Sequence, residues 1–493
     1  MFTNHHLLRV LTVATLASAP AVAHAQQAFF SAQGGIDTAG DQVAFDLDLS
    51  RPVTSAEDIR FETFTFSGGT NAAGDTISAS SFDSTLNLQS TSSSAVNVSN
   101  NNGGVGNDAL LAFSGIADSG GTLPTPLPAE AYTLTLNELG NNAAGPFAVD
   151  LVGPANALSF SGPSATSTAR LESLAFGTIG TGTAVATYNV GSNDQINGAV
   201  TVGATGSGLL SFNDGDDTLT AGGLVRANAG GTITLNSGTL NANGGVLIDG
   251  GTLRGNGTIN ATNGVTNAGT VVLDSTFDSG FFGDLTINGD YTQTASGRLE
   301  VGRVEVLSGD AEFPFDFFAV DGAASLAGEL AFTADASPLD AFGDIELYRS
   351  EFIFDTDTGI TGTFDTVTDH ILGDGTALAV TYSFAAAFAT RALLGDANLD
   401  GFIGQADLDV VLLNFGQSNL NGNNDGVSFV TGDFTGDGFV GQADLDAVLL
   451  NFGDSTPLNL DGSPLDLNTI PEPTSLALLG LGGVALTTRR RRA

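Results

Sequence analysis

Two acidic segments near the C-terminus repeat one another almost residue for residue. The first carries side-chain oxygens on Asp396, Asn398, Asp400 and Asp407, with Gly401 directly after the third. The second places Asp433, Thr435, Asp437 and Asp444 at the same spacing, with Gly438 in the position of Gly401. Counted from the first aspartate, the oxygens stand at positions 1, 3, 5 and 12 and the glycine at 6, the spacing with which a loop wraps a hard divalent cation. The glycine permits the sharp turn. The residue at position 7, Phe402 or Phe439, offers its backbone carbonyl. Such a cation takes about six to eight oxygens, so a water is expected near position 9. The chemistry is Ca2+ binding. Thr435 offers a lone hydroxyl where Asn398 offers a carboxamide, so the second loop is expected to bind more weakly.

The elements that must hold these loops follow them in the chain. Leu408, Val411, Leu412 and Phe415 after the first, and Leu445, Val448, Leu449 and Phe452 after the second, recur at i, i+3, i+4 and i+7. That period predicts one apolar face of a helix. No amphipathic helix is predicted before either loop. The loops have the ligand spacing of an EF-hand-type site, and two loop–helix segments without incoming helices resemble a type I dockerin, over roughly residues 394–454. The resemblance implies a small α-helical module with pseudo-twofold symmetry, ordered by Ca2+, that docks on a cohesin-like partner through the residues before the closing aspartate. Here those are Gln405 and Ala406, and Gln442 and Ala443. They are identical in the two halves, which implies two equivalent docking orientations. The other reading is that Ca2+ staples this region with no partner.

Both ends of the chain read as targeting. Residues 1–25 carry His5, His6 and Arg9, then an apolar run, then Ala23-His24-Ala25, a small-x-small cleavage pattern of a signal peptide; a buried N-terminal helix is the alternative. At the other end come Pro471, Glu472 and Pro473, a short apolar run over residues 476–486, and Arg489, Arg490, Arg491 and Arg492. The run is short of the ~20 residues of a spanning helix, and the arginines would stay cytoplasmic. This order resembles the PEP-CTERM sorting signal, which implies recognition by an exosortase-type processing protease and a transient inner-membrane anchor. An ordinary tail anchor is the alternative. Either reading puts the protein in the envelope or outside the cell.

The 493 residues carry a formal net charge of −40, and all 14 basic residues are arginines. A body this acidic repels nucleic acid and anionic membranes and suits divalent cations and matrix polymers. There is no cysteine, so disulfides and thiolate metal sites are excluded.

The composition predicts a mainly β protein. Residues 26–165 alternate polar and apolar in runs such as 42–49, 60–66 and 131–136, which predicts a β-sandwich-like domain. Over 166–390, runs of three to five residues recur between Gly and Asn turns, among them 198–202, 231–235, 238–242, 245–248, 251–255 and 257–261. They predict rungs of a parallel β-helix-like region, each rung leaning on its neighbours. The continuation through 285–293, 297–301 and 318–330 resembles the β-helical stalks of autotransporter-like surface proteins. Because the spacing is irregular, a sandwich of meanders is the other arrangement. A dockerin-like module over 391–455, a linker over 456–470 and the sorting signal over 471–493 complete the organisation.

The chain names no active site. Past the signal peptide the one histidine is His370, among acids, and is expected at the surface. Zinc chemistry lacks its ligands. A lyase would have to use Arg226, Arg254, Arg298 or Arg303, none of them in a recognisable motif. Asp214, Asp216 and Asp217 read as a solvated turn, the alternative being a single fragment of a glycine–aspartate Ca2+ repeat, which they resemble. The expectation is therefore an exported surface or matrix protein that binds rather than turns over, with extracellular polysaccharide as a further candidate partner. The alternative is a glycoside hydrolase or lyase carrying a dockerin.

Overall fold

Alternation of inward and outward side chains organises almost the whole chain. The structure is a computed structural model. It describes residues 26–455 apart from 81, 93–95, 105–107, 115–120, 141–143, 165–166, 274–284, 304–316, 335–349, 373 and 421–425. The leader with Ala23 and Ala25, the linker and the sorting tail lie outside the described residues.

The N-terminal strands are β1 (Gln27–Ile36), β2 (Gln42–Leu49), β3 (Arg60–Thr63), the short pair β4 (Gly69–Thr70) and β5 (Thr76–Ile77), β6 (Ser84–Ser90), β7 (Asn97–Asn100), β8 (Leu110–Ala112), β9 (Ala131–Glu138), β10 (Gly145–Pro154), β11 (Leu158–Pro163) and β12 (Arg170–Ile179). Apart from the separate β4–β5 hairpin, they form two antiparallel sheets, β8-β3-β10-β1-β12 and β7-β6-β9-β2-β11. The sheets meet through aromatic rings: Phe30 of one stacks on Phe160 of the other at 5.3 Å. β7 lies where the sequence between 91 and 106 predicts only a loop.

Each sheet then continues in parallel. β12 pairs with the strand over 199–202 and β11 with the strand over 186–189, and the chain winds into three-stranded turns. These are β13 (Ala186–Asn189), β14 (Asp194–Ile196) and β15 (Ala199–Val202), then β16 (Gly208–Ser211), β17 (Thr218–Ala221) and β18 (Val225–Asn228). In the next two turns a single strand bends across two faces: β19 (Gly231–Ala242) with β20 (Val246–Asp249), and β21 (Thr252–Ala261) with β22 (Val265–Asn267). Then come β23 (Thr270–Leu273), β24 (Leu285–Asn288) and β25 (Tyr291–Gln293); β26 (Arg298–Arg303), β27 (Phe318–Val320) and β28 (Ala324–Leu326); β29 (Glu329–Ala334), β30 (Ser350–Thr356) and β31 (Ile360–Gly362). Every turn pairs in parallel with the next on all three faces. This is the β-helix-like region, and it excludes the meander arrangement.

The interior is built of residue columns. On one face, Leu210, Ile233, Leu253, Val271, Leu299 and Leu330 align in register and are all buried. Stacking makes each apolar side chain the floor of the next, which is why a single rung could not stand alone. A polar pocket interrupts the core: the Tyr291 hydroxyl donates to Gln293 Oε1 at 2.8 Å, and Gln293 Nε2 reaches the carbonyls of Ala327 and Glu329 at 2.8 and 2.9 Å. Burial pushes the Tyr291 phenol above its ordinary range.

The far end is closed by β32 (Thr366–Thr368) and the hairpin β33 (Thr376–Tyr382) and β34 (Ala386–Leu393), the latter antiparallel to β30. Two helices follow, α1 (Gln405–Asn414) and α2 (Gln442–Leu450), with a 3-10 turn Phe429–Thr431 between them. The outer face of the hairpin (Ala377, Ala379, Ala392) shares one apolar cluster with Ile403, Val411, Phe434, Val440 and Val448. The duplicated segment thus builds its core directly on the β-helix cap.

Candidate metal centre

Each acidic segment forms a loop that enters a helix. At position 6, Gly401 and Gly438 have φ of 82° and 78°, the left-handed region that a side chain resists. The first aspartate organises the loop from inside. Asp396 Oδ2 accepts the Gly401 N–H at 2.8 Å, and Asp433 Oδ2 accepts that of Gly438 at 2.9 Å. The third oxygen position bonds onward in the same way: Asp400 Oδ1 accepts from Phe402 N–H and Asp437 Oδ1 from Phe439 N–H, each at 2.9 Å.

The closing aspartate has two tasks. Asp407 Oδ2 and Asp444 Oδ2 accept the N–H of Gly404 and Gly441 at 2.8 Å, so each caps its own helix. Their other oxygens reach back across the loop, Asp407 to Asn398 N–H at 3.2 Å and Asp444 to Phe434 and Thr435 N–H at 2.9 Å.

Position 3 separates the copies. Asn398 Oδ1 accepts from Asp400 N–H at 2.9 Å, while the Thr435 hydroxyl leans on Asp433 Oδ1 at 3.4 Å. Position 4 separates them too: Leu399 has φ 57° where the second loop has Gly436.

The electrostatics are unfavourable without a counter-ion. Asp396, Asp407, Asp433 and Asp444 are all buried. Burial pushes the Asp433 carboxyl up to about 7, with the charge of Asp444 the next cause. Two like charges held together away from water fit a hard cation, and so do the neutral oxygens of Asn398 and Thr435. As the loops stand, their carboxylates are turned onto backbone N–H groups. Among the described residues no three or more His, Asp or Glu side chains converge on one point where a metal ion would sit.

Reciprocal contacts link the two repeats. Asn414, ending α1, donates to the Thr431 carbonyl at 2.9 Å just before the second loop; Asn451, after α2, donates to the Leu394 carbonyl at 2.9 Å just before the first. Likewise Phe402 bridges Ser455, and Phe439 bridges Ser418. Neither asparagine is singled out by the ligand spacing, although both stand in the repeated stretch. Gln405, Ala406, Gln442 and Ala443 are exposed at the helix starts, with Gln405 and Gln442 each donating to the aspartate four residues on, at 2.7 Å.

Two sequence expectations need correction. The helical apolar face is only half buried. Val411 and Val448 are fully inside and Leu408 and Leu445 partly so, but Leu412, Phe415, Leu449 and Phe452 are exposed, as are Leu413 and Leu450 at 82% and 84%. Helices this short, lying on a flat sheet and on each other, cannot cover a whole stripe. His370 is not a surface residue. It is 4% exposed, and its Nε2 donates to the Phe434 carbonyl at 3.1 Å, between two candidate ligands of the second loop. Burial lowers its pKa, and with Nε2 so engaged it is not presented as a catalytic base.

Compared with known protein families, residues 469–492 match the PEP-CTERM protein-sorting motif. The chain therefore carries an exosortase sorting signal and is an exported, envelope-associated protein. Among curated proteins there is no match. Among the described residues no helix is long and apolar enough to cross a membrane.

Proposed function

We propose that this is a structural or binding protein of the cell surface or extracellular matrix, whose β-rich body is fastened at its C-terminal end by two Ca2+-binding loops of dockerin-like type. The observation that carries the reading is the pair of loops with matching internal hydrogen bonds and buried carboxylates. Asp396, Asn398, Asp400, the Phe402 carbonyl and Asp407 hold one ion; Asp433, Thr435, Asp437, the Phe439 carbonyl and Asp444 hold the other. Bound Ca2+ neutralises the buried charge and fixes the start of each helix.

The second loop is joined to the body more closely than the first. Gly436 accepts from Val367 N–H at 2.8 Å, and a Cβ on Gly436 would lie 2.2 Å from the Val367 carbonyl oxygen. Ca2+ in this loop therefore also secures β32, the strand that closes the β-helix. The exposed helix starts with Gln405, Ala406, Gln442 and Ala443 are the face for a cohesin-like partner, and the exosortase-type protease processes the tail at Pro471, Glu472 and Pro473, the apolar run serving as a transient membrane anchor until then. A pull-down from the producing cell's envelope, with and without chelator, tests the partner: recovery of a Ca2+-dependent binder that Gln405→Arg plus Gln442→Arg abolishes is expected. Recovery unchanged by chelator and by the variant would leave Ca2+ with a stapling role alone.

A further inference from the structure

One facet of the β-helix differs chemically from the rest of this acidic chain. The outward positions of β17, the second half of β19, the second half of β21, and β24 form two columns in exact parallel register. The first column is Thr218, Thr239, Thr258 and Thr286; the second is Thr220, Asn241, Asn260 and Asn288. Between the columns, Leu219, Leu240, Ile259 and Ile287 point into the core and are fully buried. No charged residue stands in either column across these four turns, on a chain of net charge −40. Over the same four turns the neighbouring facet carries one charge, Arg254, and the third facet carries Arg226 and Asp249.

The second column is tied into a ladder. Asn241 donates to the Thr220 hydroxyl at 3.2 Å, Asn260 to Asn241 Oδ1 at 2.7 Å and Asn288 to Asn260 Oδ1 at 2.6 Å. Each carboxamide spends one N–H on its neighbour and keeps the other for a ligand. Among the described residues, no hydrogen bond engages the hydroxyls of the threonine column. The result is a rigid row of free donors and acceptors, spaced about 4.8 Å along the helix axis and about 6.6 Å across.

We infer that this facet binds a linear, uncharged polysaccharide laid along the β-helix axis. The rise per turn is close to the length of one sugar residue in an extended chain, so successive hydroxyls meet successive rungs. Absence of charge on an otherwise anionic body selects a neutral polymer over a charged one. A strip two columns wide and four turns long, about 14 Å between its end rungs, accommodates one chain and not a broad two-dimensional lattice. Because the ladder fixes the side chains in advance, little ordering entropy is lost on binding. With no aromatic ring on the facet, the affinity of a single strip is modest and rises with polymer length.

The test is co-sedimentation of the purified full chain with amorphous cellulose, insoluble β-1,3-glucan and mannan. The chain is compared with Thr239→Lys plus Thr258→Lys on the facet, with the near-isosteric Asn260→Asp, and with Thr201→Lys plus Thr266→Lys on another face. Binding to at least one of these polymers is expected, weakened tenfold or more by both facet variants and unchanged by the control pair, at equal melting temperature. No binding to any of the three polymers overturns the inference, and so does equal loss in the control pair. Inhibition of ice recrystallisation that is lost with the facet variants, without polysaccharide binding, also overturns it and assigns the array to an ice lattice.

Discussion

His370 Nε2 donates to the carbonyl oxygen of Phe434 at 3.1 Å, joining the segment after β32, at the closed end of the β-helix, to the second acidic loop. The bond is buried and lies between Asp433 and Thr435, so whatever orders that loop also orders the end of the β-rich body. His370→Ala leaves a buried carbonyl without a donor and removes a packed ring, a loss of about 2–4 kcal/mol. The melting temperature is expected to fall, and Ca2+ affinity to drop more at the second loop than at the first. Equal loss at both loops would show that the junction does not transmit.

The copies are expected to differ in affinity because of position 3. Thr435→Asn places a carboxamide where the first loop has Asn398. It is expected to tighten the weaker of the two binding steps several-fold in calorimetry, while Asn398→Thr weakens the stronger one. Reversed or absent changes would remove position 3 from the ligand set.

The reciprocal asparagines are expected to act in parallel. Asn414→Ala and Asn451→Ala each leave a loop-entry carbonyl, Thr431 or Leu394, without its partner, at a cost of about 1 kcal/mol each. Their effects on denaturant midpoint are expected to be similar, since the two contacts occupy equivalent places in the repeat. A large effect from one alone would contradict that equivalence.

Asp150 predicts a pH dependence in the N-terminal sandwich. It is buried, accepts from the Ser31 hydroxyl and from Ala72 N–H, each at 2.6 Å, and burial pushes its carboxyl up to about 6. The unfolded chain releases this proton near pH 4. The folded state therefore binds the extra proton between about pH 4 and 6, and stability falls as pH rises through that window, by on the order of 2–3 kcal/mol. Asp150→Asn is expected to flatten this slope in urea titrations at saturating Ca2+. An unchanged slope would assign it to another group.

Much of this architecture was legible because its periods are short. The alternation in β2, β3 and β9 and the Gly-flanked runs of β15, β19, β20 and β21 follow directly from one-sided burial, and the loop residues announce themselves by spacing. What escaped prediction depends on contacts far apart in the chain. His370 looks like a solvated residue among acids until β32 is laid against residues 434–438. The exposure of Leu413 and Leu450 follows from how two short helices lie on a flat hairpin, which helical periodicity does not encode. The threonine and asparagine columns are present in the repeats at 238–242 and 257–261, but only the register between turns aligns them.

Calorimetric titration of the chelator-treated full chain with Ca2+, followed in parallel by far-ultraviolet circular dichroism, tests the central claim most directly. Two ions per chain are expected, with a gain of helical signal, and both effects should vanish in Asp396→Ala plus Asp433→Ala. No heat of binding, or a response identical in that double variant, would contradict the account.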